Sequence, residues 1–278
     1  MSNLIFPLPG ESGRTVGDVL SQNGCANTGL ILQKYVGTEK AIKDWKIDGP
    51  EKNNFFDLLI KNQKNSDMNS LFPAIILRWK AMVQYFNGLL YQHGAETCAW
   101  RACHFTARTR WRMVVGLGTA STLETSMTMH PVYGFPYIPG SSLKGIARAW
   151  AEDIKEDQAL IDNAFGPEGT ADASAGRVIF FDAMPEKLPE LEKDIINAHY
   201  AEYYQGKAPP ADWLSPIPVY FLAVKPGISF HFAVASKEVE LAESACTWLK
   251  EGLNKYGIGS KTLVGYGHFD VIESKQGI

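Results

Sequence analysis

Apolar residues in this chain change their spacing several times. From Leu71 to Gln92 the stretch LFPAIILRWKAMVQYFNGLLYQ keeps them at helical intervals, with Pro73 in the first turn where its missing N–H is tolerated. From Phe105 the period falls to two. In ARTRWRMVV, Arg108, Arg110 and Arg112 alternate with Thr109, Trp111 and Met113, which predicts a half-buried strand with three guanidinium groups on its outer face and Trp111 on the inner one. The helical spacing returns after Gly134 in GFPYIPGSSLKGIARAW, where Leu143, Ile146, Ala147, Trp150, Ala151 and Ile154 form one stripe. GRVIFFDA (176–183) reads as a strand and IPVYFLAV (217–224) as a fully buried one. Lys225, Pro226 and Gly227 then turn into ISFHFAVA (228–235), whose Ile228, Phe230, Phe232 and Val234 alternate, so these last two strands are expected to pair as a hairpin. A helix from about Val239 to Lys255 buries Ala242, Ala245, Cys246, Leu249 and Leu253, and a final strand lies in YGHFDV.

The order strand, helix, strand, strand, strand, helix, strand predicts an α+β fold over residues 101–278. It is close to the split βαβ arrangement of a ferredoxin-like (RRM-like) domain with an insertion at about 184–216. Residues 1–100 read as a mainly helical N-terminal extension packed on that core, interrupted by the polar KNQKNSDMNS.

With 278 residues, 45% of them hydrophobic, the chain can bury a sizeable core. No apolar run approaches the roughly 20 residues of a membrane span, and MSNLIFPLPGESGRT lacks a secretory pattern, so a cytoplasmic protein with no membrane partner is expected. Cys25, Cys98, Cys103 and Cys246 are scattered without a CxxC and read as free thiols; neither metal nor cofactor is expected. The net charge of -3 argues against indiscriminate coating of nucleic acid. It conceals an asymmetry: residues 1–150 carry 16 Lys+Arg against 10 Asp+Glu, and residues 151–278 carry 11 against 20. That division suggests a polyanion on one face and protein neighbours on another.

Two segments concentrate the chemistry. In PYIPGSSLKGIAR, Pro139 and Gly140 force a turn, Ser141 or Ser142 can cap the helix, and the first-turn amides carry the partial positive charge that attracts anions. Lys144 and Arg148, one turn apart, repel each other unless an anion or acid lies between them. In YGIGSKTLVGYGHF, Gly257, Gly259, Gly265 and Gly267 expose backbone beside Lys261 and Thr262, and no acidic residue occurs between Glu251 and Asp270. Ser260-Lys261-Thr262 imitates a phosphate-binding loop, but the preceding glycine is missing and the order is helix to strand rather than strand to helix. Tyr133, Phe135, Tyr137, Tyr200, Tyr203 and Tyr204 lie in loops where they can stack on bases. His130 and His199 are the candidates for general acid or base, without a recognisable catalytic motif.

YIPGSSLKGIAR followed downstream by GIGSKTLVGYG resembles the RAMP superfamily of CRISPR-associated proteins. The series HPVYGFPYIPGSSLKG, FFDAMP, DIINAHYAEYY and GIGSKTLVGYG is similar to a subunit of the type III-B, or Cmr, RNA-guided effector complex, departing from it at Ala198, where proline is expected. The resemblance implies a ferredoxin-like domain of the backbone type. It implies a non-catalytic role in antiviral defence: binding guide RNA (crRNA) toward its 3′ end, with target RNA, beside other Cmr subunits of the backbone, small and capping kinds. The residues expected to contact RNA are Gly140, Ser141, Ser142, Lys144, Arg148, Gly257, Gly259, Lys261, Thr262, Gly265, Arg108, Arg110, Arg112, His130, Tyr137, His199 and Tyr203. The 184–216 insertion is the candidate for a hairpin that kinks the guide. The rival readings are a metal-independent RAMP endoribonuclease that uses His130 or His199 on guide precursors, and a nucleotide-binding module built on GIGSKT.

Overall fold

The computed structural model describes residues 10–21, 27–37, 47, 49–65, 67–93, 96–121, 123–167, 174–198, 203, 206–207, 209 and 216–272. The chain begins with helices α1 (Gly10–Ser21), α2 (Thr28–Lys34), α3 (Gly49–Asn65) and α4 (Met68–Phe86), then strands β1 (Leu90–His93), β2 (Glu96–Ala99) and β3 (Arg101–Thr109). It continues through α5 (Gly140–Asp153), α6 (Gln158–Phe165), β4 (Val178–Phe180), β5 (Met184–Pro185) and β6 (Leu191–Ala198). The last elements are β7 (Ile217–Val224), β8 (Ser229–Ser236), α7 (Val239–Lys255), a 3-10 turn at Thr262–Val264 and β9 (Phe269–Ile272). Among the described residues no helix is long and apolar enough to cross a membrane.

Two compact units interleave along the sequence. The unit of residues 69–115, 136–189 and 224–278 is built on an antiparallel sheet of order β4-β8-β3-β9, with β5 also paired to β8. One face of this sheet carries Phe105, Phe230, Phe232 and Phe269, all buried; α7 packs there, and α5 packs on α7. The other face carries His104 and His231, against which α4 lays Trp79 at ring-centroid distances of 5.8 and 5.9 Å. Covered on both sides, β8 is buried at every position, so His231 is 3% exposed although strand alternation alone places it outward.

The unit of residues 1–68, 116–135 and 190–223 holds α1, α2, α3 and the two-stranded sheet β6-β7. Ile31, Leu32, Phe55, Phe56 and Leu59 are buried there, and Lys193 ties β6 to α3 by reaching Asn53 and Asp57, each at 2.7 Å.

Several expectations are corrected. The helical stretch read to Gln92 ends at Phe86 and Leu90–His93 is a strand; the 217–224 strand, read as fully buried, exposes Pro218; and Ile154, read into the apolar stripe, is exposed. The 217–224 and 228–235 strands do not pair with each other: β7 joins β6, and β8 inserts between β3 and β4. The connecting turn docks on the end of β3 instead, with the Gly227 N–H donating to the Thr109 carbonyl and the Thr109 N–H to the Ile228 carbonyl, both at 3.0 Å. That same turn removes β8 as a partner beyond Thr109, so the strand stops there and the chain bends at Arg110 and Trp111. The period-two register is therefore broken. Thr109 and Met113 are buried as expected, whereas Trp111 is 46% exposed.

Candidate nucleic-acid interface

The start of α5 is built by the chain itself. Pro139 at the N-cap is extended, with φ -60° and ψ 139°, and makes no side-chain cap; neither serine takes that role. The capping anion comes from the loop after β4: the Gly140 N–H donates to Asp182 Oδ1 at 2.7 Å. A Cβ at residue 140 would collide with the Phe180 carbonyl, so the glycine answers to the protein's own backbone. Ser141 is exposed, while Ser142 and Lys144 are half-buried. Arg148 is engaged internally: its Nε meets Glu152 Oε1 at 2.7 Å and its Nη1 donates to the Gly166 carbonyl at 3.1 Å. Glu152, one turn further along, is thus the acid that meets the Arg148 charge. Tyr137 stands near this start; burial pushes its phenol above the usual range, and the Asp182 carboxylate adds to the shift.

The glycine turn is likewise shaped by its own contacts. The Ser260 N–H donates to the Val114 carbonyl at 2.8 Å, the Gly267 N–H to the Arg112 carbonyl at 2.9 Å, and the Arg110 N–H to the His268 carbonyl at 2.9 Å. At Gly259, φ is 93° and a Cβ would strike the Val114 carbonyl. Gly257, a buried position, also has positive φ, as do Gly265 and Lys261, at 70°, 99° and 63°; the Lys261 Nζ lies 5.9 Å from the Tyr266 ring centroid. Thr262 opens the 3-10 turn, which carries Leu263 and Val264 fully or largely into solvent. His268 bridges this turn to α7: its Nε2 lies 3.1 Å from the Thr262 carbonyl and its Nδ1 3.2 Å from that of Asn254.

The three arginines do not share one strand face. Arg108 ends the β3 ladder and is exposed. Arg110 is bound by Asp270 of β9, Nε to Oδ1 at 2.6 Å, and the Arg112 guanidinium sits 5.0 Å from the centroid of the Trp111 ring. An acidic side chain stands beside them in space, because β9 brings Asp270 alongside Arg108.

The helix start and the glycine turn belong to the same unit but to opposite edges of its sheet. Gly140 rests by Phe180 and Asp182 behind the β4 edge, and the glycine turn leads into the β9 edge, three strand spacings or about 14 Å away. Helix α5 joins them: its Trp150 ring lies 5.6 Å from Tyr256 at the head of the turn, and ten residues from Gly140 to Trp150 span about 15 Å. Along α5, Ser141, Gly145 and Ala149 face outward one turn apart, between those two places.

His130 and Tyr203 fall in the other unit. The His130 Nδ1 accepts from the Val132 and Tyr133 N–H groups, each at 3.3 Å, and the ring lies 4.7 Å from Tyr133 and 5.4 Å from Phe135, an arrangement that holds a turn. Tyr203 is exposed. His199, Tyr200, Tyr204 and Cys25 lie outside the described residues, as does much of the 184–216 insertion. Cys98 and Cys103 are half-buried free thiols and Cys246 a buried one.

Residues 104–270 match the RAMP superfamily. The chain is 35% identical to the CRISPR system Cmr subunit Cmr6 of Pyrococcus furiosus, over 58% of this chain and 65% of that one. It is 29% identical to the CRISPR system CMR subunit Cmr6 of Saccharolobus solfataricus, over 70% of this chain and 66% of that one. It therefore spans just under two thirds of the length of each of these relatives. Its fold is similar to that of a chain in the cryo-EM structure of the type III-B Cmr-beta complex bound to cognate target RNA, with a TM-score of 0.58, 22% identity, and 94% of this chain and 86% of that one covered.

Proposed function

The chain belongs to the RAMP superfamily, and we propose that it is a non-catalytic, RNA-binding backbone or capping subunit of a type III-B CRISPR RNA-guided effector complex. In this reading the β4-β8-β3-β9 sheet with α5 and α7 is a ferredoxin-like domain, the partners are guide and target RNA with other Cmr subunits, and the complex is cytoplasmic. The RNA backbone runs along α5 between its start and the glycine turn.

The observation that carries this reading is Gly145. A glycine inside a helix costs about 1 kcal/mol relative to alanine. At Gly140 and Gly259 the protein's own carbonyls require it, but a Cβ at residue 145 would meet nothing within 4 Å. Room left open at that cost, on an outward face flanked by Lys144, suits the close approach of a sugar-phosphate chain from outside. Similarity to two Cmr6 proteins supports the assignment to this kind of complex.

The test uses the full chain and single-stranded repeat RNA. Gly145→Leu, a good helix former in open space, holds or raises thermal stability while weakening RNA binding. Lys144→Ala reduces the slope of log K against log salt by about 0.7, the share of one phosphate on a single strand. Unchanged binding in the first variant and an unchanged slope in the second refute the interface. The RNA stays intact on incubation with the protein in chelator; cleavage that survives chelation establishes the endoribonuclease instead.

A further inference from the structure

We propose that Trp111 is a stacking platform for one unstacked nucleobase of the bound RNA, an inference that rests on the RNA-binding reading above. The indole is 46% exposed while Thr109 and Met113, two residues before and after it, are 2% and 1% exposed, so the bend after β3 turns one large apolar side chain outward between the solvent-reaching Arg110 and Arg112. That bend is not loose. The segment is held by the Arg110 N–H on the His268 carbonyl, the Arg112 carbonyl on the Gly267 N–H and the Val114 carbonyl on the Ser260 N–H, bonds of 2.9, 2.9 and 2.8 Å. A flat group fixed on a rigid segment loses little freedom when a ligand stacks on it.

The surroundings favour a nucleobase over an apolar protein segment. The Arg112 guanidinium is 5.0 Å from the indole centroid, Arg108 is exposed at the end of the adjoining strand, and Lys261 stands in the turn bonded to this segment. A cation against an aromatic ring, with others along the same segment, matches a ligand that has a π-face and phosphates beside it. Bases of single-stranded RNA offer that combination, and stacking tolerates any sequence, as a guide-holding subunit requires.

The experiment compares the full-length wild type with Trp111→Ala and Trp111→Phe on two labelled probes of about a dozen nucleotides. One is single-stranded oligoadenylate; the other is an abasic strand of the same length, with every phosphate and no base. Trp111→Ala binds oligoadenylate about 5- to 150-fold more weakly, the range that one base–aromatic stack carries. It binds the abasic strand as the wild type does, and its salt slope is unchanged. Trp111→Phe keeps most of the affinity. Equal binding of oligoadenylate by wild type and Trp111→Ala overturns the platform and leaves the Lys144 slope to judge the interface. An equal loss on both probes also overturns it, because Trp111 then only supports the fold. A wild type that binds neither probe overturns the platform and the RNA-binding reading together.

Discussion

Acidification should weaken the sheet unit through His231, by an amount the structure sets. Its ring is 3% exposed between β3 and α4, its Nδ1 lies 3.3 Å from both His104 Nε2 and Thr106 Oγ1, and its Nε2 is buried without a hydrogen-bond partner. Burial pushes the imidazole down to about 4, and the charge of Lys80 and the neighbouring His104 add to the effect. The folded value thus lies below the unfolded one of about 6.5, so the unfolded chain takes up the proton first and the stabilisation from a neutral His231 disappears as pH falls from about 6.5 toward 4. Between pH 7.5 and pH 5 that linkage removes about 2 kcal/mol. With an urea m-value of about 2 kcal/mol per molar, the unfolding midpoint of the sheet unit drops by about 1 M. His231→Gln no longer titrates; it is less stable at neutral pH and lacks about 2 kcal/mol of the acid-induced loss. Urea midpoints for both proteins at the two pH values decide the matter. An acid-induced drop of the same size in the variant refutes the reasoning, because the proton responsible then binds elsewhere.

Asp182→Asn keeps a hydrogen-bond acceptor for the Gly140 N–H but removes the resident negative charge from the start of α5, costing up to about 1 kcal/mol of stability. RNA binding at low salt strengthens in this variant if a phosphate lies at that helix start, and weaker or unaltered binding removes the phosphate from there. Gly259→Ala combines a left-handed conformation, about 1 to 2 kcal/mol for any residue with a Cβ, with collision against the Val114 carbonyl. Gly265→Ala meets only the first cost, since nothing lies within 4 Å of its Cβ position, so thermal melting shows the larger loss at residue 259. Equal losses contradict the account of the turn as packed against residues 112–114.

Local pattern carried a good deal. The stripe Leu143, Ala147 and Ala151 is buried on α5, and Leu249 and Leu253 are buried on α7, because helical spacing obliges such residues to share a face. The strands at 178–180, 229–236 and 269–272 were legible for the same reason, whereas β1, β2 and β6 were not. The Pro-Gly-Ser-Ser-Leu-Lys-Gly segment with its distant glycine turn pointed to the superfamily. Which groups occupy which partners was not legible. Asp182 caps α5 from 42 residues away, and Asp270 reaches Arg110 from 160 residues away. Glu152 was in plain view one turn beyond Arg148, and helical spacing alone identifies it as that arginine's partner.

The sequence by itself determined the local periods, the charge division between the halves and the superfamily motifs, since each depends only on residue type and short-range geometry. Strand partners, the outward turn of Trp111 and the anions already seated beside Gly140 and Arg110 were decided by tertiary structure. Hydrogen-bond and ion-pair satisfaction is settled between segments far apart in the chain, and no local pattern specifies which segment arrives.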